Sequence, residues 1–143
     1  MDCVTLKYDI KGKDFINAGA ASSEMKKALS RVGADSRAVK RAAIAMYEAE
    51  INTVIHAHEG IAEVNIYNDH VEIIITDKGP GIPDIDLAMK EGWSTAPDLA
   101  REMGFGAGMG LPNIKRNSDY MNIETQVGIG TKITIGINYS GRT

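Results

Sequence analysis

The run Val71-Glu72-Ile73-Ile74-Ile75-Thr76 constrains the fold more than any other stretch of this chain. Its β-branched side chains lose freedom in a helix and pack well on a pleated surface, so it reads as a strand buried in a sheet. A carboxylate, Asp77, follows at once, and then Lys78-Gly79-Pro80-Gly81-Ile82. Because the apolar run pins the backbone, Asp77 is expected at the mouth of the strand in a fixed position. Gly79 and Gly81 remove side chains where something flat or phosphorylated can lie against the main chain. The same residues also make ordinary turns, and taken alone the stretch admits both readings.

The chain before this strand supplies a second constellation. Residues 4–10 alternate apolar and polar, the pattern of a half-buried strand suited to a sheet edge. Gly12 and Lys13 turn the chain, and Asp14 is the expected N-cap of a helix over residues 15–32, closed by Gly33. Asp35 is the expected cap of a longer helix reaching Ala57, with Val39, Ala42, Ala43, Met46 and Val54 on its apolar face. On another stripe of that helix lie Glu48, Asn52 and His56, each four residues from the next. A carboxylate and a carboxamide one turn apart can serve as a base and a hard-metal oxygen ligand, or simply be exposed polar residues. His56 is expected to serve the helix end through the local carbonyls. Gly60 breaks the helix, and residues 61–67 and 71–76 form a hairpin across Asn68-Asp69.

After Asp77 a short helix is expected over residues 84–90, opened by Pro83. Residues 91–110 are glycine-rich and hold the one tryptophan, Trp93. A loop this long inside a compact domain is usually functional, often a lid. It closes with Gly104, Gly106, Gly108 and Gly110 before a helix start at Leu111. Bare amides leading to the positive end of a helix make an anion site; a merely flexible linker is the other reading. The spacing is neither Gly-x-Gly-x-x-Gly after a strand nor a Walker sequence, which excludes the Rossmann and P-loop schemes. Residues 120–126 and 132–138 read as the last two strands, joined through a short hairpin.

Size and charge narrow the class. The 143 residues suffice for one domain with a real core, read as a single unit over 1–143. A formal net charge of −3 gives no basic footprint for direct nucleic-acid binding. The lone cysteine, Cys3, allows neither an internal disulfide nor a cysteine-based metal site, which fits a reducing compartment. The N-terminus lacks the pattern of a signal peptide and no run approaches membrane-spanning length, so a cytoplasmic protein without a membrane partner is expected.

Four features recur in one order: Glu48-x-x-x-Asn52 on a helix, Asp77-x-Gly79-x-Gly81 after a strand, Gly108-x-Gly110-Leu111 opening a helix, and Gly130-Thr131 before a strand. The set resembles the Bergerat-type ATP-binding domain shared by gyrase, the Hsp90 chaperones, sensor histidine kinases and the MutL repair proteins. Within that superfamily it is most similar to the small bacterial anti-sigma-factor serine/threonine kinases and the related switch kinase of stress-signalling complexes. Gly79-Pro80-Gly81-Ile82-Pro83-Asp84, Gly92-Trp93-Ser94-Thr95 and Gly110-Leu111-Pro112-Asn113-Ile114-Lys115-Arg116 carry the closest match.

The resemblance implies an α+β fold, a two-layer α/β sandwich with a mixed, mostly antiparallel sheet, helices on one face and a lid over ATP. It implies that Asp77 accepts from the adenine amino group with Thr131 in support, and that Gly79, Gly81 and Ile82 lie against the base and ribose. Asn52 would bind Mg²⁺; Gly106, Gly108, Gly110 and the Leu111 amide would cradle phosphates, with Lys115 as a charge partner. Ser94 and Thr95 would contact phosphate or cap a turn. Glu48 would be the base that activates a serine or threonine hydroxyl of a partner protein, and Glu50, two residues on, faces elsewhere. The implied function is an ATP- and Mg²⁺-dependent serine/threonine kinase. It would act by partner switching on a sigma factor or a small antagonist domain, in a group where homodimers are common. The alternatives are a nucleotide-gated binding module without kinase activity and a detached histidine-kinase catalytic subunit. Glutamate at position 48 fits the serine-kinase pattern better than the last. Segment 96–103 makes the lid longer than in the switch kinase.

Overall fold

The computed structural model describes residues 3–90 and 110–140. Strands β1 (Val4–Lys11), β2 (Glu59–Ile66) and β3 (His70–Lys78) form a meander, and β4 (Tyr120–Gln126) and β5 (Gly130–Asn138) form a hairpin. The five strands make one sheet in the order β1-β2-β3-β5-β4, with β1 on the edge its alternation predicted. Every described pairing is antiparallel, so the parallel component of the expected mixed sheet is not among them. Helices α1 (Ala20–Arg31), α2 (Ser36–His56), α3 (Ile85–Ala88) and α4 (Gly110–Asn117) complete the described elements.

The register explains why the helices take one face. Leu6, Val64, Ile73, Ile135 and Met121 form a row across all five strands, and Tyr8, Ala62, Ile75, Ile133 and Ile123 form the next. On the opposite face the corresponding row is Lys7, Glu63, Ile74, Thr134 and Asn122, largely polar. A period of two thus places one apolar and one mainly polar surface on the same strands. Met25 and Leu29 of α1 and Ala42, Ala45, Met46 and Ala49 of α2 are buried in the same core as those apolar rows. The alanines allow α2 to lie close to the sheet, and α4 packs against α2 in turn. At the far end of α4, Arg41 of α2 donates from Nε to the Asn117 carbonyl (3.1 Å) and from Nη2 to Asp119 (2.9 Å). Asp119 also accepts from the backbone of Asn138 (2.8 Å), so one carboxylate ties helix, turn and β5 together.

The first helix starts later than expected. Asp14 accepts from the backbone and side chain of Asn17, a local turn, rather than capping a helix at residue 15. Gly19, with φ of 95°, then redirects the chain and α1 begins at Ala20. Its N-terminal donors are met from another helix: Glu50 accepts from the backbone N–H of Gly19, Ala21 and Ser22 and from the Ser22 hydroxyl. A carboxylate at the positive end of a helix is favourable in charge, and here it also removes the orphan donors. Asp35 does sit at the N-cap position of α2, although its side chain makes no capping bond.

Glu50 is 3% exposed, so truncating it leaves several buried donors without an acceptor. Glu50→Ala is expected to lower unfolding free energy by about 3 kcal/mol in a urea titration. Glu50→Gln, which presents an amide N–H to donors, is expected to fall between it and the native protein.

Candidate functional site

Asp77 lies where β3 runs out. Its Oδ1 accepts from the backbone N–H of Thr131 (3.1 Å), the second residue of β5. Oδ2 accepts no hydrogen bond from the described residues. Around this carboxylate the glycines allow backbone contact. A Cβ on Gly130 would overlap the Asp77 carbonyl, and one on Gly60 would lie 2.7 Å from Thr53 Cγ2 and 3.5 Å from Asp77 Cβ. A Cβ on Gly79 would lie 3.0 Å from Ala57 Cα and 3.3 Å from Asp77 Oδ1. Gly81 has φ of 76° and its missing Cβ faces the Gln126 carbonyl at 2.6 Å. The two glycines after the strand therefore have a structural requirement within the chain, one at α2 and one at the β4–β5 hairpin. Burial pushes the Asp77 carboxyl above its usual range, and the Thr131 N–H partly opposes this.

Glu48 and Asn52 sit farther toward the start of α2, against the first residue of α4. A Cβ on Gly110 would lie 3.1 Å from Oδ1 and 3.3 Å from Nδ2 of Asn52, and 3.5 Å from Oε2 of Glu48. Glycine thus leaves the carboxylate and carboxamide facing the N-terminus of an eight-residue helix, an end that favours negative charge. Burial raises the Glu48 pKa, and a hydrogen bond from the Asn113 side chain draws it back down. Arg116 donates to Oδ1 of Asn113 (3.1 Å), which leaves the amide N–H₂ to face the carboxylate. Asn113 lies in the matched run from Gly110 to Arg116 but was given no role there, though it shares the Gly110 face of α4 at a spacing of three. From Glu48 to Ala57, which flanks the Asp77 end, α2 advances about 14 Å at 1.5 Å per residue. That is comparable to the length of an extended nucleoside triphosphate.

The remaining residues divide clearly. Leu111 is buried in the core at the α4 start, and the Ile82 N–H donates to Thr125 Oγ1 (2.9 Å). Lys115 instead lines a groove of about 430 Å³ with Ile85, Met89 and residues 118–123, a lining without Glu48, Asn52 or Asp77. His56 is half-buried; burial lowers its pKa and the neighbouring Lys13 adds to this. The carbonyl contact at that helix end is made by Lys13, whose ammonium donates to Ile55. Ser94, Thr95, Gly106, Gly108 and the rest of the expected lid, residues 91–109, lie outside the described residues. Thr125 was also missed in the sequence, yet it falls on the inward phase of β4 after Met121 and Ile123 and pairs with Thr131.

Comparison with known proteins places these features in a family. Residues 38–140 match the model of the histidine kinase-, DNA gyrase B- and HSP90-like ATPases. An anti-sigma F factor of Clostridium beijerinckii is 36% identical over 97 residues, covering 64% of this chain and 64% of its own length. The serine/threonine-protein kinase RsbT of Bacillus subtilis is 34% identical over 97 residues, covering 65% and 67%. The chain thus spans about two thirds of the length of these curated relatives. A Mycobacterium tuberculosis crystal structure of RsbU and RsbW domains aligns over 96% of this chain and 34% of its own. With a TM-score of 0.59 at 16% identity, it supports the fold alone. Matched over most of its length by one family model, the chain belongs to the histidine kinase-, DNA gyrase B- and HSP90-like ATPases.

Proposed function

We propose that this protein is an ATP- and Mg²⁺-dependent serine/threonine kinase that regulates by partner switching, phosphorylating a small antagonist of a sigma-factor system in the cytoplasm. The observation that carries the reading is the pairing of Glu48 and Asn52 across Gly110, in the half of α2 whose C-terminal end flanks the Asp77 carboxylate. Relatives named as an anti-sigma factor and as a serine/threonine kinase support the class of activity and of partner.

At the base end, Asp77 Oδ2 accepts from the adenine amino group and Thr131 supports the contact. An oxo group at that position would face the carboxylate acceptor to acceptor, which disfavours guanine. At the phosphate end, the start of α4 offers backbone N–H groups to the polyphosphate. The donor set fits Mg²⁺: Asn52 brings a hard oxygen, and no group of three acidic, histidine or cysteine side chains is assembled among the described residues. Such a site suits an ion that takes most of its ligands from phosphate and water. Held by Asn52, the ion would supply charge neutralisation to the phosphates. Glu48 accepts the proton of the partner's hydroxyl as its oxygen bonds to the γ-phosphorus. The bond from that phosphorus to the bridging oxygen of ADP breaks, and ADP departs. Burial suits Glu48 to this task, since it increases the basicity of the carboxylate.

Labelled ATP mixed with the protein and candidate antagonists tests the reading. Acid-stable label on serine or threonine is expected; acid-labile label points to a histidine kinase, and nucleotide binding with no transfer points to a gated binding module. Glu48→Gln is expected to reduce transfer by about 10²–10⁴-fold while retaining ATP affinity. The acid limb of the rate profile is expected above the ordinary glutamate value of 4.5, and Asn113→Ala should move it higher still by removing the opposing hydrogen bond.

Asp77→Asn is expected to weaken ATP binding at least tenfold in calorimetry, by presenting a donor or a lone acceptor to the amino group. Its stability should change in the other direction. The folded pKa of Asp77 lies above 3.8, so the native state holds that proton more tightly than the unfolded chain. The associated stability is complete below the unfolded value and is lost as pH rises through the raised one. At neutral pH the amide therefore removes a cost: Asp77→Asn should melt above the native protein at pH 7, with the gap closing toward pH 4. Gly110→Ala places a methyl 3.1 Å from Oδ1 of Asn52 and should reduce the gain in ATP affinity that Mg²⁺ provides.

A further inference from the structure

Thr125 belongs to none of the motifs above, yet its hydroxyl meets three groups beside Asp77. Oγ1 accepts from the Ile82 N–H (2.9 Å), lies 2.9 Å from Oγ1 of Thr131, and lies 3.3 Å from the Gly130 carbonyl. A hydroxyl has one hydrogen to give. The Gly130 distance is longer than an ordinary O–H···O bond and the Thr131 distance is within range, and either hydroxyl can be the donor of that shorter bond. With Thr125 as the donor, Thr131 receives on its oxygen and keeps its own hydrogen to give elsewhere. Its backbone N–H already holds Asp77 Oδ1, and the side chain is 7% exposed on the same face of the sheet as Asp77.

We propose that Thr125 is a positioning residue for base recognition: it holds the Thr131 hydroxyl as a hydrogen-bond donor toward N1 of an aminopurine. This rests on the reading of Asp77 as the carboxylate that meets the amino group. N1 is the ring atom next to the carbon bearing that group, so a base seated on Asp77 brings N1 to the neighbouring strand, where Thr131 lies. In adenine N1 accepts. In an oxopurine N1 carries hydrogen, so the Thr131 hydrogen has to turn away and leave the oxygen's second lone pair to accept, a cost that adenine does not meet. The chain from Ile82 N–H through Thr125 to Thr131 therefore has a direction, and that direction adds to the discrimination made by Asp77.

Calorimetry with ATP, inosine triphosphate and purine riboside triphosphate, all with Mg²⁺, tests the inference. Thr125→Val keeps the volume and removes the hydroxyl, freeing Thr131 to rotate and accept. The preference for ATP over inosine triphosphate is expected to fall about tenfold, the scale of one hydrogen bond. Thr125→Ser should restore it. Purine riboside triphosphate has N1 but no amino group, so Thr125→Val should weaken it as much as ATP, while Asp77→Asn should leave it nearly unchanged. Thr131→Val, which deletes the donor itself, should lower the same preference. Equal weakening of all three nucleotides by Thr125→Val would show that Thr125 only supports the Ile82 loop, and would overturn the proposal. An unchanged preference in Thr131→Val overturns it as well, independently of how the Thr125 variants fold. A native protein that binds all three equally, or an Asp77→Asn variant with native ATP affinity, overturns the reading of Asp77 itself.

Discussion

At Asp77 and Gly130 two neighbouring strands approach so closely that no side chain fits between them. A Cβ at position 130 would overlap the Asp77 carbonyl oxygen. This contact lets the Thr131 N–H reach the Asp77 carboxylate, because the first residue of β5 has no bulk to hold β3 away. The hairpin before it is drawn into the same arrangement. Gly79 donates to the Ile129 carbonyl (3.1 Å) and Gly128 to the Pro80 carbonyl (2.8 Å), so the loop after β3 and the turn before β5 are bonded to each other. A carboxylate held from two sides in this way has one oxygen committed and one presented.

Helix α2 is the other half of the same constraint, because opposite sides of one helix serve unrelated purposes. Glu48 and Asn52 lie on the side that meets α4. Glu50, about 200° round the helix from Glu48, enters the protein interior and closes the N-terminus of α1. The two carboxylates are chemically alike and are made different by what surrounds them. Four hydrogen bonds surround Glu50, whereas burial with one opposing amide leaves Glu48 more basic than usual. Arg41, two turns earlier, secures the end of α4 away from the site. Both ends of α4 are therefore referenced to α2, one through a salt bridge and one through a glycine.

Much of this could be read along the chain, for identifiable reasons. The strands were legible because their period of two is complete: residues 71, 73 and 75 and residues 133, 135 and 137 are buried, as alternation requires. The Glu48–Asn52 pair was legible because helical spacing is local. The start of α1 was not, since what ends the turn is a left-handed Gly19 and what caps the helix is a residue about 30 positions away. Asp14 offered a good local signal and lost to that long-range partner. Gly79 and Gly81 were legible as positions that exclude a side chain, but the neighbours that exclude it, Ala57 and Gln126, became apparent only with the sheet assembled. Lys115 read as a phosphate partner from its place in a motif; the turn of α4 that carries it faces α3 and β4.

The site and the fold make opposing demands on the same groups. Asp77 and Glu48 both have pKa values raised by burial, so each ionised carboxylate opposes folding to some degree at neutral pH. A chain selected for stability alone would place amides or apolar residues there. The opposing hydrogen bonds, from Thr131 to one and Asn113 to the other, recover part of that cost without neutralising the charge. They also leave each carboxylate with acceptor capacity for something that is not part of the chain. Glu50 shows the contrast: a carboxylate 3% exposed, with both oxygens accepting from α1 and its turn, has no capacity left for a ligand. Among the three acidic residues, Glu50 is the buried one with its acceptors filled, while Glu48 and Asp77 are partly buried and keep acceptor capacity.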